Sequence, residues 1–328
     1  MIKIYRHNKH YYELESVDRF IDVEYVNSED ECDYVAVACS HNEPVFEGIS
    51  KPIIYSYLRE HPYEHDEYLQ TQFKSLRTDQ KITIFSIGSF EKIAPGRKNI
   101  IIDNFELDCY HRLFVKKECE VVQRNFGTTR LLLLGGKANK NNRKPLLDAL
   151  LKNEKTSGRL AWSMFGVDGG EPLDDIQTED NHYLGNPYDS IVYQSTNFSV
   201  ISETHFDQNQ EFHPTEKTYR AIANRHPFAI LSTPFFLKKL KDKGYVTFNR
   251  TLDENYDIET DPERRLQKFV NSLNSLVEKN VNYKTFEKKC EQNVNTLIRN
   301  AKETKLRIIE GITNDRISNS GNAEVYDS

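Results

Sequence analysis

Residues 203–248 read ETHFDQNQEFHPTEKTYRAIANRHPFAILSTPFFLKKLKDKGYVTF. Tyr219, Ile222 and Ala223 recur at i, i+3 and i+4, which puts an apolar face on a helix. Thr215, after Pro214, is the predicted N-cap. Phe228 to Leu231 is a short apolar run, the pattern of a parallel strand covered on both faces. Ser232 or Thr233 is predicted to cap a second helix, with Pro234 in its first turn and Gly244 stopping it. The stretch is an αβα unit of a doubly wound sheet, so the fold class is α/β.

Lys217 is the anomaly within it. It stands in the first helical turn, where the helix dipole disfavours a cation by roughly 0.3–1 kcal/mol at an exposed site. A bound phosphate removes the anomaly, because the helix N-terminus and the ammonium then face the same anion. Glu216 beside it could accept hydrogen bonds from ribose hydroxyls. The other reading is a solvated Glu-Lys pair, and residue chemistry alone leaves both open.

Upstream, Leu131 to Leu134 is a fully apolar strand, followed by Gly135-Gly136-Lys137 and a polar loop. A helix follows from Lys144 or Pro145, with Leu146, Leu147, Leu150 and Leu151 on one face. The glycine turn lets a phosphate approach the backbone or is simply a tight turn with exposed lysines. It lacks the GxxxxGK[ST] spacing of a P-loop and the GxGxxG of a dinucleotide fold. Leu160 to Phe165 and Tyr193 to Ser202 read as further strands, separated by an acidic loop over 169–189. Downstream, Asp261-Pro262-Glu263 opens a helix of regular 3.6 period. A last helix is expected over about 283–310, and residues 316–328 have the composition of a disordered tail.

The N-terminal part offers four strand candidates: Tyr34 to Ala38, Pro52 to Ser56, Lys81 to Ser86, and Asn99 to Asn104. All end in polar residues, as the functional edge of an open α/β sheet does. His41, Glu60, His61 and Asp103 lie near these ends, and each has the chemistry of a general base.

The 328 residues carry a net charge of −6, so no global basic field favours a nucleic-acid backbone. Five cysteines without CxxC spacing imply neither a zinc site nor a disulfide framework, and fit reduced thiols in an intracellular protein. The charged N-terminus has no signal-peptide core, and no apolar run reaches the ~18 residues of a membrane span. The expected location is the cytoplasm.

Thr215-Glu216-Lys217, about a dozen residues after Ser202-Glu203, resembles the donor-nucleotide motif of GT-B glycosyltransferases. It is most similar to the fucosyltransferase signature, where a Glu-Asn-Ser element precedes Val-Thr-Glu-Lys. The longer run from TEKTYRAIANRHPFAIL to DPERR also resembles glycosyltransferase-like proteins of phages and giant viruses. Pro214 replaces the Val and Glu203-Thr204 the Glu-Asn of the fucosyltransferases, so the sugar is open.

The resemblance implies two Rossmann-like domains in a GT-B-like arrangement, with a C-terminal helix packing back. The implied boundaries are an acceptor-side domain at 1–125, a nucleotide-sugar domain at 126–282, a C-terminal helix at 283–315 and the tail. Glu216 would take the donor ribose, and Lys217 with Arg143 the diphosphate of a UDP- or GDP-linked sugar. Lys137, Thr215, Glu203 and Thr204 would lie close by. A base among Glu60, His61 and Asp103 would activate the acceptor hydroxyl, on a glycan, a protein or a modified base of viral DNA. No Asp-x-Asp element occurs, so no metal is expected on the diphosphate and no further cofactor is implied. The alternative is a non-catalytic nucleotide- or glycan-binding protein of the same fold.

Overall fold

In the computed structural model, the described residues are 2–6, 23–38, 46, 48–57, 71–74, 76, 79–86, 98–115, 129–137, 142–165, 193, 196–207 and 212–320. The chain divides into two compact units, 1–108 with 300–328 and 109–299. The expected boundary at 125/126 lies outside the described residues, and residues 283–299 group with the second unit.

The first unit is a six-stranded, wholly parallel sheet in the order β2-β1-β3-β4-β5-β6. Its strands are β1 (Ile2–Arg6), β2 (Val23–Val26), β3 (Tyr34–Ala38), β4 (Ile53–Tyr57), β5 (Ile82–Ser86) and β6 (Lys98–Ile101). Val35, Val37, Ile53, Tyr55, Ile82 and Ile84 pack with Phe46 and Phe73 in one core. Each such side chain contributes roughly 1.5–3 kcal/mol on burial. β1 and β2 were not expected. The last strand also stops earlier than its apolar run suggests, because Asp103 caps helix α1 (Asn104–Tyr110), its Oδ1 accepting from Glu106 N at 3.1 Å.

The second unit holds a four-stranded parallel sheet in the order β10-β9-β7-β8. It comprises β7 (Leu131–Lys137), β8 (Leu160–Phe165), β9 (Phe198–Ser202) and β10 (Phe228–Leu231). β9 and β10 are buried along their whole length, as are Leu131 to Leu133 of β7, which explains their continuous apolar runs. Of the two serines of β9, Ser199 is satisfied by His226 Nδ1 at 2.6 Å. β9 begins at Phe198, later than the run from Tyr193 suggests.

Helix α2 (Arg143–Lys152) follows β7, the single turn α3 (Glu154–Ser157) leads to β8, and α4 (Glu216–Ala223) joins β9 to β10. After β10 comes α5 (Phe236–Asp242). Neither Ser232 nor Thr233 caps it. Phe235 occupies the N-cap in a left-handed conformation, and Asp257 takes the capping role, its carboxylate accepting from Leu237 N at 2.8 Å and Lys238 N at 3.3 Å. Ser232 Oγ donates to His205 O instead.

Gly244 ends α5 at φ +91°, a conformation that glycine adopts without strain. Gly244→Ala is expected to destabilise the protein by about 1 kcal/mol, read as a lower urea midpoint with an unchanged slope.

Helix α6 (Pro262–Lys279) is capped by Asp261, whose Oδ1 accepts from Arg264 N at 2.8 Å. Its apolar stripe, Phe269, Val270, Leu273, Leu276 and Val277, is buried. Helix α7 (Lys284–Ser320) runs well past the expected end near 310. Its first part belongs to the second unit and its remainder to the first. Within the first unit, Tyr34 Oη donates to Ile312 O at 2.9 Å and Lys98 Nζ to Gly311 O. Gly311 lets the helix approach Ile100, whose Cδ1 would lie 2.1 Å from a Cβ there. The C-terminal helix thus packs back as expected.

Candidate functional site

In the second sheet β7 is followed in sequence by β8 on one side, while β9 and β10 lie on the other. The connections leaving the C-terminal ends of β7 and β9 therefore diverge. This is the topological switch point of the sheet, the place where open α/β sheets bind ligands. Two helix N-termini flank it, α2 after β7 and α4 after β9. A register shift between Leu134 and Gly136 locates a bulge at this end of β7, a device that re-aims the chain beside a site.

One hydrogen-bond chain crosses the switch point. Asn142, the N-cap residue of α2, donates from Nδ2 to Ser202 Oγ at the end of β9, 3.0 Å away. The next residue, Glu203, is 0% exposed. Its Oε1 accepts from Thr215 N at 3.0 Å and Thr218 Oγ1 at 2.6 Å, and its Oε2 from Thr215 Oγ1 at 2.5 Å. In a capping box an acidic residue within the helix satisfies the N-cap amide. Here Glu203 does so from the neighbouring strand end, and a carboxylate there is favoured by the dipole of α4.

Thr215 Oγ1 carries the chain onward. It accepts from Lys217 N at 3.5 Å and from Lys217 Nζ at 3.1 Å, and that ammonium also donates to Glu216 Oε1 at 2.8 Å. Lys217 is only 9% exposed, so a buried cation stands in the first turn of a helix. An ammonium has three donors, and two are used. Glu216 has a third of its side chain in solvent. Burial pushes its carboxyl upward, but Lys217 and Arg220 outweigh this and hold it at about 2, against an ordinary 4.5. Because the folded value is depressed, its stabilising contribution is complete above pH 4.5 and disappears as pH falls from 4.5 towards 2. A carboxyl NMR titration, assigned with Glu216→Gln, is expected to show this resonance still ionised at pH 3.5.

Arg143 opens α2 and is buried, Thr204 is half-buried in the bend after Glu203, and Lys137 closes β7. The structure thus gathers Arg143, Glu203, Thr204, Thr215, Glu216 and Lys217 along one sheet edge. Glu203 is different in kind from its neighbours: its oxygens are spent on Thr215 and Thr218, so it positions the helix start from within. Glu60, His61 and His41 lie outside the described residues, and Asp103 is the cap of α1. Asn142, Ser202 and Thr218 were not among the expected site residues. Only the strand order identifies the first two, whereas Thr215 and Thr218, at the N-cap and third helical position, do carry a capping signal.

Among the described residues, no group of three or more His, Cys, Asp or Glu is placed to hold a metal ion. No helix among them is long and apolar enough to cross a membrane. Cys32, Cys109 and Cys290 are buried thiols outside any disulfide.

No family model matches the chain, and no curated protein matches it. Among solved structures, an alpha1,3-fucosyltransferase is similar at 11% identity over 88% of this chain and 89% of that one, with a TM-score of 0.41. An alpha1,3-fucosyltransferase with GDP-fucose matches at 9% identity over 89% and 90%, TM-score 0.39. One with GDP matches at 9% identity over 90% of each chain, TM-score 0.34. Scores this low establish no shared activity, and the α/β fold stands on the two parallel sheets themselves.

Proposed function

We propose that the chain is a glycosyltransferase whose second unit binds a nucleotide sugar at the switch point of β7 and β9. The observation that carries this reading is Lys217. A nearly buried ammonium in the first turn of a helix is locally unfavourable, and an anion at that helix start makes it favourable. Lys217 and Arg143 hold the diphosphate and Glu216 accepts from the ribose hydroxyls, with Lys137 and Thr204 as further candidates for contact with the donor. The donor is UDP- or GDP-linked. Glu203 and Thr215 keep the helix start rigid, so the donors are already oriented when charge develops.

In the reaction the acceptor hydroxyl oxygen bonds to the anomeric carbon as the bond from that carbon to the diphosphate oxygen breaks. The hydroxyl proton passes to a general base, and the nucleoside diphosphate leaves with the electron pair. Neutralisation of that leaving group by Lys217 and Arg143 needs no metal ion.

The test incubates the protein with UDP- and GDP-linked sugars and an acceptor panel of oligosaccharides and hydroxymethylpyrimidine DNA, followed by mass spectrometry. A mass increment of one sugar on an acceptor, with release of the nucleoside diphosphate, supports the reading. Nucleotide binding with neither transfer nor donor hydrolysis contradicts it and leaves a binding protein.

A further inference from the structure

Phe235 is the residue in the second unit whose local conformation is hardest to explain by folding alone. It sits at φ 61°, ψ 18°, where an L side chain is disfavoured and glycine is not. Among the described residues, the other non-glycine residues with positive φ, Arg225 and Asn280, lie just past the ends of α4 and α6, where such a conformation closes a helix. Phe235 instead begins a helix, and its ring gains little from burial, since the residue is 43% exposed.

The backbone around it is firmly held. Phe235 N donates to Asp257 O at 2.6 Å, and the Asp257 carboxylate accepts from the amides of Leu237 and Lys238. Strain that the surroundings maintain at an exposed aromatic residue points to function. A second observation lies two residues upstream. Thr233 is 3% exposed, and its hydroxyl makes no hydrogen bond. Such a group costs about 1–3 kcal/mol unless a partner arrives.

Both residues belong to the loop leaving β10, on the same C-terminal sheet edge as Lys217. Ser232 Oγ of this loop donates to His205 O, two residues beyond Glu203. The ring of Phe236 lies 4.8 Å from that of Phe212. Phe212 precedes Thr215 by three residues, a span of at most about 11 Å, which is of the order of a nucleotide's length.

We infer that the β10–α5 loop forms the nucleobase subsite of the donor site, with the Phe235 ring as stacking face and the Thr233 hydroxyl as hydrogen-bonding partner of the base. This rests on the diphosphate reading of Lys217 and adds the part of the ligand that Lys217 does not touch. A stacked base gains from an aromatic face whatever its identity, so selectivity between bases falls to Thr233.

The test is calorimetric titration of UDP, GDP and inorganic pyrophosphate into the wild-type protein, Phe235→Gly, Phe235→Trp and Thr233→Val. Glycine relieves the left-handed strain, so Phe235→Gly is expected to keep or raise the melting temperature. It should weaken nucleotide binding about tenfold or more and leave pyrophosphate binding unchanged. Phe235→Trp should retain nucleotide affinity. Thr233→Val removes an unpaired buried hydroxyl, so it should keep stability and lose affinity for the preferred base several-fold. Nucleotide affinity unchanged in Phe235→Gly overturns the subsite while leaving the diphosphate site standing. A lowered melting temperature with equal losses for nucleotide and pyrophosphate marks a structural role and also overturns it. Wild-type protein that binds neither nucleotide nor pyrophosphate overturns the diphosphate reading itself.

Discussion

Glu203→Ala is expected to destabilise the protein by about 4 kcal/mol and to remove nucleotide binding with it. The magnitude follows from what the carboxylate satisfies. Thr215 N, Thr215 Oγ1 and Thr218 Oγ1 all donate to it in a site closed to solvent. Each donor left unmet costs about 1–3 kcal/mol, reduced where water enters the vacated volume. The dipole of α4 also loses the anion that faces it. Glu203→Gln keeps one oxygen and the shape, so about half the loss is expected. Both are read from chemical denaturation of the whole chain. If Glu203→Ala folds with wild-type stability, the carboxylate does not anchor the helix start, and the account of a pre-set donor site fails with it.

The second large effect separates stability from function. Lys217→Ala is expected to weaken nucleoside diphosphate binding about 100-fold, equivalent to about 2.7 kcal/mol, the scale of a charge-assisted hydrogen bond in a partly buried site. Folding should barely change. The mutation costs the contacts to Thr215 and Glu216, but it also removes a cation from the unfavourable end of a helix. The Glu216 carboxyl should rise from about 2, because the ammonium is the strongest of the influences that lower it. A Lys217→Ala protein that loses several kcal/mol of stability and binds nucleotide normally would show the ammonium to be a structural ion. Calorimetry and denaturation on the same sample distinguish the two.

How much of this was legible in the chain depended on how locally each feature is encoded. Leu131 to Leu134 and Phe228 to Leu231 announced themselves because a parallel strand covered on both faces has no polar positions to hide it. Thr215 was readable as a cap because capping chemistry is local. β1 and β2 escaped notice because they are short and interleave charge with apolar residues, as in Ile2-Lys3-Ile4, where only alternate side chains are buried. The Asn142 to Ser202 bridge could not be read at all, since it spans sixty positions and depends on the strand order. Glu203 was recognised as belonging to the site, but its role as a staple depends on a buried geometry that composition does not reveal. The cap of α5 was misplaced on Ser232 or Thr233 because the residue that supplies it, Asp257, lies twenty positions downstream.

The central claim is that the buried ammonium of Lys217 and the helix start at Thr215 exist to hold a diphosphate. Its most direct test is a crystal structure of the protein with UDP or GDP, whichever binds more tightly in titration. The account predicts the diphosphate within hydrogen-bonding distance of Lys217 Nζ and beside the N-terminus of α2, with the ribose hydroxyls on Glu216. A nucleotide bound elsewhere, with Lys217 still bonded only to Thr215 and Glu216, would contradict it.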